Sequence, residues 1–212
     1  MSVSSAKENI LKRIRQALSE STPIPFPHSE GSHSVFQPSR QELEIEFAEQ
    51  FSKLQGKFVF CVDHRELAGQ LNALIASQSW KKIFCREEKL RKTLREHAFD
   101  NFSSGELGEC DAAITTCEAL IARTGSIVLS SAGASGRTVS VYTPVHLCIA
   151  YTDQLFYDIR DGLLALKERY HQQLPSLMTF ATGPSRTADI EKTLVVGVHG
   201  PRQVYLFLVD RP

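Results

Sequence analysis

Short apolar runs alternate with amphipathic helical stretches along most of this chain, and that alternation constrains its fold more than any other feature. KFVFCV (57–62), KKIFC (81–85), DAAITTC (111–117), SIVLSS (126–131), HLCIAYT (146–152), LMTFAT (177–182) and VYLFLV (204–209) are strand-length. Between them, 40–54 puts Leu43, Phe47, Phe51 and Leu54 on one helical face, and 65–77 does the same with Leu67, Leu71, Leu74 and Ile75. A charged helix is expected at 87–97 and a helical turn at 117–123. A long helix is expected at 153–173, carrying Leu155, Ile159, Leu163, Leu166 and Tyr170, and a short one at 186–193. Near-continuous apolar strands need cover on both faces. The pattern therefore predicts an α/β fold, a mainly parallel sheet flanked by helices.

The first 39 residues follow another rule. Residues 4–19 read as an amphipathic helix that Ser4 or Ser5 can cap, with Ile10, Leu11, Ile14 and Leu18 at helical spacing. Residues 21–39, STPIPFPHSEGSHSVFQPS, alternate proline and show no apolar period, the signature of a linker or extended arm. Two parts are expected: a helix with a Pro-rich arm at 1–39, and an α/β domain at 40–212. A helix on such an arm packs on its own domain or on a second chain, which leaves a homo-oligomer open.

Charge narrows the partners. Lys and Arg total 24 against 24 Asp and Glu. That balance argues against a sequence-independent nucleic-acid binder and against a polybasic membrane anchor. No apolar run approaches the ~20 residues that span a bilayer, and the first residues lack the apolar core of a signal peptide. At 42% hydrophobic and 23% charged, the chain is not disordered by composition. Cys61, Cys85, Cys110, Cys117 and Cys148 form no C-x-x-C pair. Their scatter argues against a disulfide framework and gives no zinc or iron–sulfur motif; no metal ligand set is expected, and a reducing cytoplasm fits.

Three stretches invite chemistry. In TGSIVLSSAGASGRT (124–138), Thr124, Gly125 and Ser126 precede a strand, and Gly133 and Gly136 flank a small-residue loop before Arg137. Small side chains let backbone N–H groups face an anion, and an arginine can fork onto a carboxylate or phosphate. A hairpin turn with a solvated arginine is the plain alternative. In TFATGPSRTADIE (179–191), a strand runs into Thr182, Gly183 and Pro184, and Ser185 can cap a helix starting at Arg186. Such a helix start attracts anions, and open α/β sheets place ligands at the carboxyl ends of their strands. An ordinary capped turn accounts for the residues equally well.

In VGVHGPRQVYLF (196–207), His199 stands between Gly197 and Gly200, accessible and suited to proton transfer. A hydrogen-bonding bystander is the alternative. Glu118, upstream of the TGS turn, is a candidate base or nucleophile. His146 reads as a satisfied core histidine and Cys117 as a buried thiol. Neither a Walker loop nor a G-x-G-x-x-G fingerprint is present. The turns at 124–126, 182–183 and 199–201 are expected to meet on one side of the sheet, with Arg137 and Arg186 giving the crevice positive charge.

The stretches TGSIVLSS…GR, TPVHLCIAYT and TGPSRTADIEKTLVVGVHGPR resemble the LutC/YkgG family of lactate utilisation proteins, which carry the LUD domain. The resemblance covers about residues 40–210 and is most distinctive at 182–202. It implies a fold similar to the NagB/RpiA/CoA-transferase group. It also implies a part in oxidising L-lactate to pyruvate beside two companion proteins, one of them an iron–sulfur protein. This chain would be an accessory or substrate-binding subunit for a small organic-acid anion, with its cofactor unassigned. Arg123 stands where many relatives carry an acidic residue directly before the TG pair. Fold analogy leaves open a stand-alone isomerase- or acyl-transferase-like enzyme using Glu118, His199 and Arg137. A non-catalytic scaffold that docks an iron–sulfur partner through residues 1–39 is a third reading.

Overall fold

The computed structural model describes residues 5–19, 38–39, 41–171, 173–190 and 193–211. The chain divides into two units, Met1–Pro38 and Ser39–Pro212. The described part of the first is almost entirely a helix, α1 (Ser5–Ser19), on which Ile10, Leu11, Ile14 and Leu18 are exposed. Apart from residues 38 and 39, the expected arm lies outside the described residues.

The second unit is built on a five-stranded sheet. Its strands are β1 (Lys57–Cys61), β2 (Ile83–Phe84), β3 (Ala112–Thr116), β6 (Val145–Tyr151) and β11 (Gln203–Val209). Their order is β1-β11-β6-β3-β2, and every pairing is parallel. Alternate residues serve opposite faces. Ile114, Leu147, Ile149 and Phe207 join a core under α3 (His64–Gln78) and α4 (Glu88–Glu96). Cys148, Ala150, Leu206 and Leu208 join a second core, shared with Phe47 and Phe51 of α2 (Leu43–Lys53). Burial on both faces is why these strands read as unbroken apolar runs.

A second sheet covers that other face. It contains β4 (Ala119–Ile121), β5 (Ser126–Ser130), β7 (Leu155–Phe156) and β8 (Met178–Ala181), in the order β7-β4-β5-β8. β5 runs antiparallel to both β4 and β8, and β4 runs parallel to β7. Leu166 of α6 (Ile159–Tyr170) packs on this sheet with Ala119, Ile121 and Val128. A short helix, α5 (Val139–Tyr142), leads into β6.

Three expectations are corrected. The helix expected at 186–193 is an antiparallel pair, β9 (Arg186–Ile190) and β10 (Thr193–Val196), with residues 191 and 192 outside the described set. The helical turn expected at 117–123 is β4 followed by a 3-10 turn at Ala122–Thr124. The long helix starts at Ile159, not 153, because Leu155 and Phe156 pair with β4 and Asp158 caps the helix by accepting from Arg160 N at 3.0 Å.

The last turn of α2 is gripped by glycines. A Cβ on Gly125, whose φ is +59°, would lie 2.5 Å from Phe51 N. One on Gly183, with φ +82°, would lie 2.5 Å from the Leu54 carbonyl oxygen. Gly125→Ala is therefore expected to cost about 2–4 kcal/mol of stability, through both strain and collision. Gly69→Ala, in the exposed interior of α3 with nothing within 4 Å, should instead stabilise by about 0.5–1 kcal/mol. Urea titration of both variants checks the pair of signs.

Candidate functional site

Two of the expected turns do come together. Ser185 N donates to Pro201 O at 3.0 Å, and Gly197 N donates to Ser185 O at 2.8 Å. A Cβ on Gly200 would meet Ser185 Cβ at 2.8 Å. Between these turns, β8 and α5 lies a cavity of about 280 Å³, with Thr182, Gly183, Ser185, His199, Gly200 and His146 on its walls. It opens at the amino ends of β6 and β11, not at the carboxyl ends where the sequence places a ligand. A wider cleft continues past Val141 and His199 to Tyr142, Thr143, Val198 and Arg202.

His146 is the side chain in this cavity that the sequence undersells. It is 1% exposed, and its Nε2 lies 2.8 Å from Thr115 Oγ1, donor and acceptor being set by the tautomer. Nδ1 makes no hydrogen bond among the described residues. Since His146 is a wall of the cavity and Nε2 is taken by Thr115, Nδ1 is the ring nitrogen left for a ligand there. Burial lowers the imidazole pKa to about 4, so the ring is neutral at pH 7. A neutral ring offers a proton on one nitrogen and a lone pair on the other.

A second chamber, of about 40 Å³, sits at the carboxyl end of β3. Glu87 faces it and accepts from Thr116 N at 3.1 Å, Thr116 Oγ1 at 2.6 Å and Ser135 Oγ at 2.6 Å. Glu118 accepts from Ser130 Oγ at 2.5 Å, Tyr170 Oη at 2.7 Å and Arg169 Nη1 at 3.0 Å. Both oxygens of Glu118 are thus engaged. Tyr170 is pushed upward in pKa by burial and then by Glu118. Leu129 and Ser140 line both chambers, and Thr115 lines the small one while bonding His146 in the large one. One layer of side chains separates the two.

The turn at 124–126 also meets the turn at 182–183, but behind the cavity and not in it. Thr124, Ser126 and Thr182 form a hydroxyl chain with steps of 2.8 and 2.9 Å, of which only Thr182 lines the larger cavity. Gly125 is packed on α2, while Gly136, at φ +62°, lines the small chamber. Arg137 donates to Ser176 Oγ at 2.6 Å, and Arg186 to the Leu54 carbonyl at 2.5 Å. The two arginines therefore do not face one crevice, and with β9 in place of a helix Ser185 caps nothing. The sequence reads His146 as core and does not single out Thr115 or Arg202, which the structure places at these cavities. The available signal was a polar residue at 146 inside an otherwise apolar strand.

All five cysteines are free and buried. Among the described residues, no group of three or more His, Cys, Asp or Glu is placed to hold a metal ion, and no helix is long and apolar enough to cross a membrane.

The LUD domain family model matches residues 57–209. Lactate utilization protein C of Deinococcus radiodurans is 35% identical over 108 residues, 50% of each chain. Its namesake from Halalkalibacterium halodurans is 38% identical over 106 residues, 49% of this chain and 46% of its own. The chain spans about half the length of the curated relatives it matches. A crystal structure of a DUF162 family protein from Deinococcus radiodurans has the same fold, with a TM-score of 0.60 at 21% identity over 82% of this chain and 99% of the other.

The buried imidazole makes stability depend on pH. His146 takes up a proton near pH 6.5 when unfolded and only near pH 4 when folded. Between these values the unfolded chain holds the extra proton, so stability falls as pH drops through that window, by about 3 kcal/mol in full. In His146→Gln this part of the acid loss should vanish. Urea-unfolding free energies of both proteins between pH 4 and 7 check it; parallel curves would contradict a neutral buried imidazole.

Proposed function

Because the chain belongs to the LUD domain family, we propose that it serves lactate utilisation in the cytoplasm as a subunit that binds a small 2-hydroxy or 2-keto acid. Iron–sulfur chemistry is left to a companion protein. The relatives' name, lactate utilization protein C, supports the pathway. The observation that carries the site is Arg202. It lines the wide cleft beside His199, makes no salt bridge among the described residues, and no acidic residue is among the cleft's described walls. Its backbone is fixed by a bond from Arg202 N to Pro144 O at 2.9 Å, and its side chain crosses Gly197 with no room for a Cβ there.

A guanidinium held in this way forks onto a carboxylate, a contact worth about 1.5–3 kcal/mol. The adjacent imidazole of His199 is then available to the 2-oxygen of the acid. The isomerase- or acyl-transferase-like alternative needs a free Glu118, and three donors hold that carboxylate. No comparable observation favours it.

Deleting the gene should abolish growth on L-lactate while growth on pyruvate persists, and equal growth on both would remove the reading. In calorimetry with the purified chain, Arg202→Ala should weaken binding of L-lactate or pyruvate by about tenfold or more, the size of one lost charge-assisted contact.

A further inference from the structure

The inner cavity is built for a different ligand from the cleft outside it. None of its described wall residues is an Asp, Glu, Lys or Arg. Leu129, Val141, Phe180, Ala181, Pro201 and Val204 make the walls largely apolar. His199 stands at the rim shared with the outer cleft, so a carboxylate or phosphate drawn past it would shed its water without meeting a Lys or Arg, which is unfavourable. An aliphatic ligand would leave His146 Nδ1 desolvated and unpaired, also unfavourable.

What the walls offer is neutral hydrogen bonding. His146 presents Nδ1, and the hydroxyls of Ser140 and Ser185 make no hydrogen bond within the described protein. Thr115 bonds the imidazole at its other nitrogen, Nε2. At about 280 Å³ the cavity is at the small end of the roughly 300–1,000 Å³ typical of small-molecule sites. Its approach adds exposed apolar side chains beside Arg202: Tyr142 is 71% exposed, Val198 43% and Val141 40%.

We propose that this cavity binds an uncharged, flat, carbonyl-bearing ring of the quinone class, with a carbonyl oxygen on His146 Nδ1 and the ring against Leu129, Val141 and Val204. With Thr115 Oγ1 donating to Nε2, the N–H lies on Nδ1 and a carbonyl accepts it; the ring faces match the apolar walls, and the absence of charge matches the absence of a Lys or Arg counter-ion. The organic-acid reading concerns Arg202 in the outer cleft, which does not line this cavity, although the two sites share Val141, His199 and Gly200.

Equilibrium dialysis of the full chain against duroquinone tests it. That ring is methylated at every free carbon, so the five thiols have no open position to attack. Saturable one-to-one binding is expected, with benzoate, similar in size but charged, at least tenfold weaker. Val141→Trp, which fills the cavity from its rim, should weaken duroquinone binding at least tenfold. His146→Leu should weaken it at least fivefold with an unchanged circular dichroism spectrum. If that variant does not fold, Val141→Trp and the benzoate comparison decide. The proposal is overturned if the folded wild-type chain shows no saturable binding, if Val141→Trp binds as wild type does, or if benzoate binds as tightly as duroquinone. A folded His146→Leu chain of unchanged affinity overturns the assignment of the carbonyl to His146. Failure of any of these leaves L-lactate binding at Arg202 to be judged by its own calorimetry.

Discussion

The close approach of three backbone segments to the last turn of α2 holds the two sheets in place. Gly56 clears the ring of Phe51, Gly125 the Phe51 amide, and Gly183 the Leu54 carbonyl. Arg186 then donates to that same carbonyl. A helix end leaves its final carbonyls without partners, and here a side chain from the second half of the domain supplies one. The turn that follows β8 is thereby fixed against α2, and Thr182 through Ser185 become one wall of the cavity. Loosening α2 would move that wall.

This packing explains which parts of the site were legible. Gly125 and Gly183 have the small, strained-backbone character of an anion loop. The same character lets a loop press on a helix, and nothing local distinguishes the two uses. The decision rests with Phe51 and Leu54, far away in sequence. The segment after Ser185 failed for a related reason. Its cap-like start favours a helix locally, but β9 is held by pairing with β10, and pairing overrides modest local propensity. The parallel sheet was legible because burial on both faces leaves unbroken apolar runs. The second sheet was less so: β4 and β7 are too short to show a period.

His146 shows how a site hides in a core strand. β6 sends Val145, Leu147 and Ile149 toward α3 and α4, and His146, Cys148 and Ala150 toward the second sheet. Cys148 and Ala150 are small and fully buried, while His146 is large and polar and stands at the strand's open end. An imidazole there is sheltered enough to stay neutral and still reachable through the cavity. Thr115, on the neighbouring strand, joins it to the chamber where Glu87 and Glu118 are tied down. The acidic chamber is saturated with donors and the histidine cavity is not, so unsatisfied polar capacity is concentrated on one side of that layer.

The position of β11 bears on how the chain reaches this state. It lies between β1 and β6, yet follows both in sequence, and Lys57 bonds Gln203 across a separation of 146 residues. As the chain leaves the ribosome, β1, β2, β3 and β6 emerge before the strand that unites them. β1 has no other partner in the sheet, so until β11 emerges its edge and the edge of β6 that β11 covers are unpaired. Open edges of this kind recruit other chains. The nascent protein thus carries its greatest risk of misassociation just before residues 203–209 arrive, and the same segment that completes the sheet removes the risk.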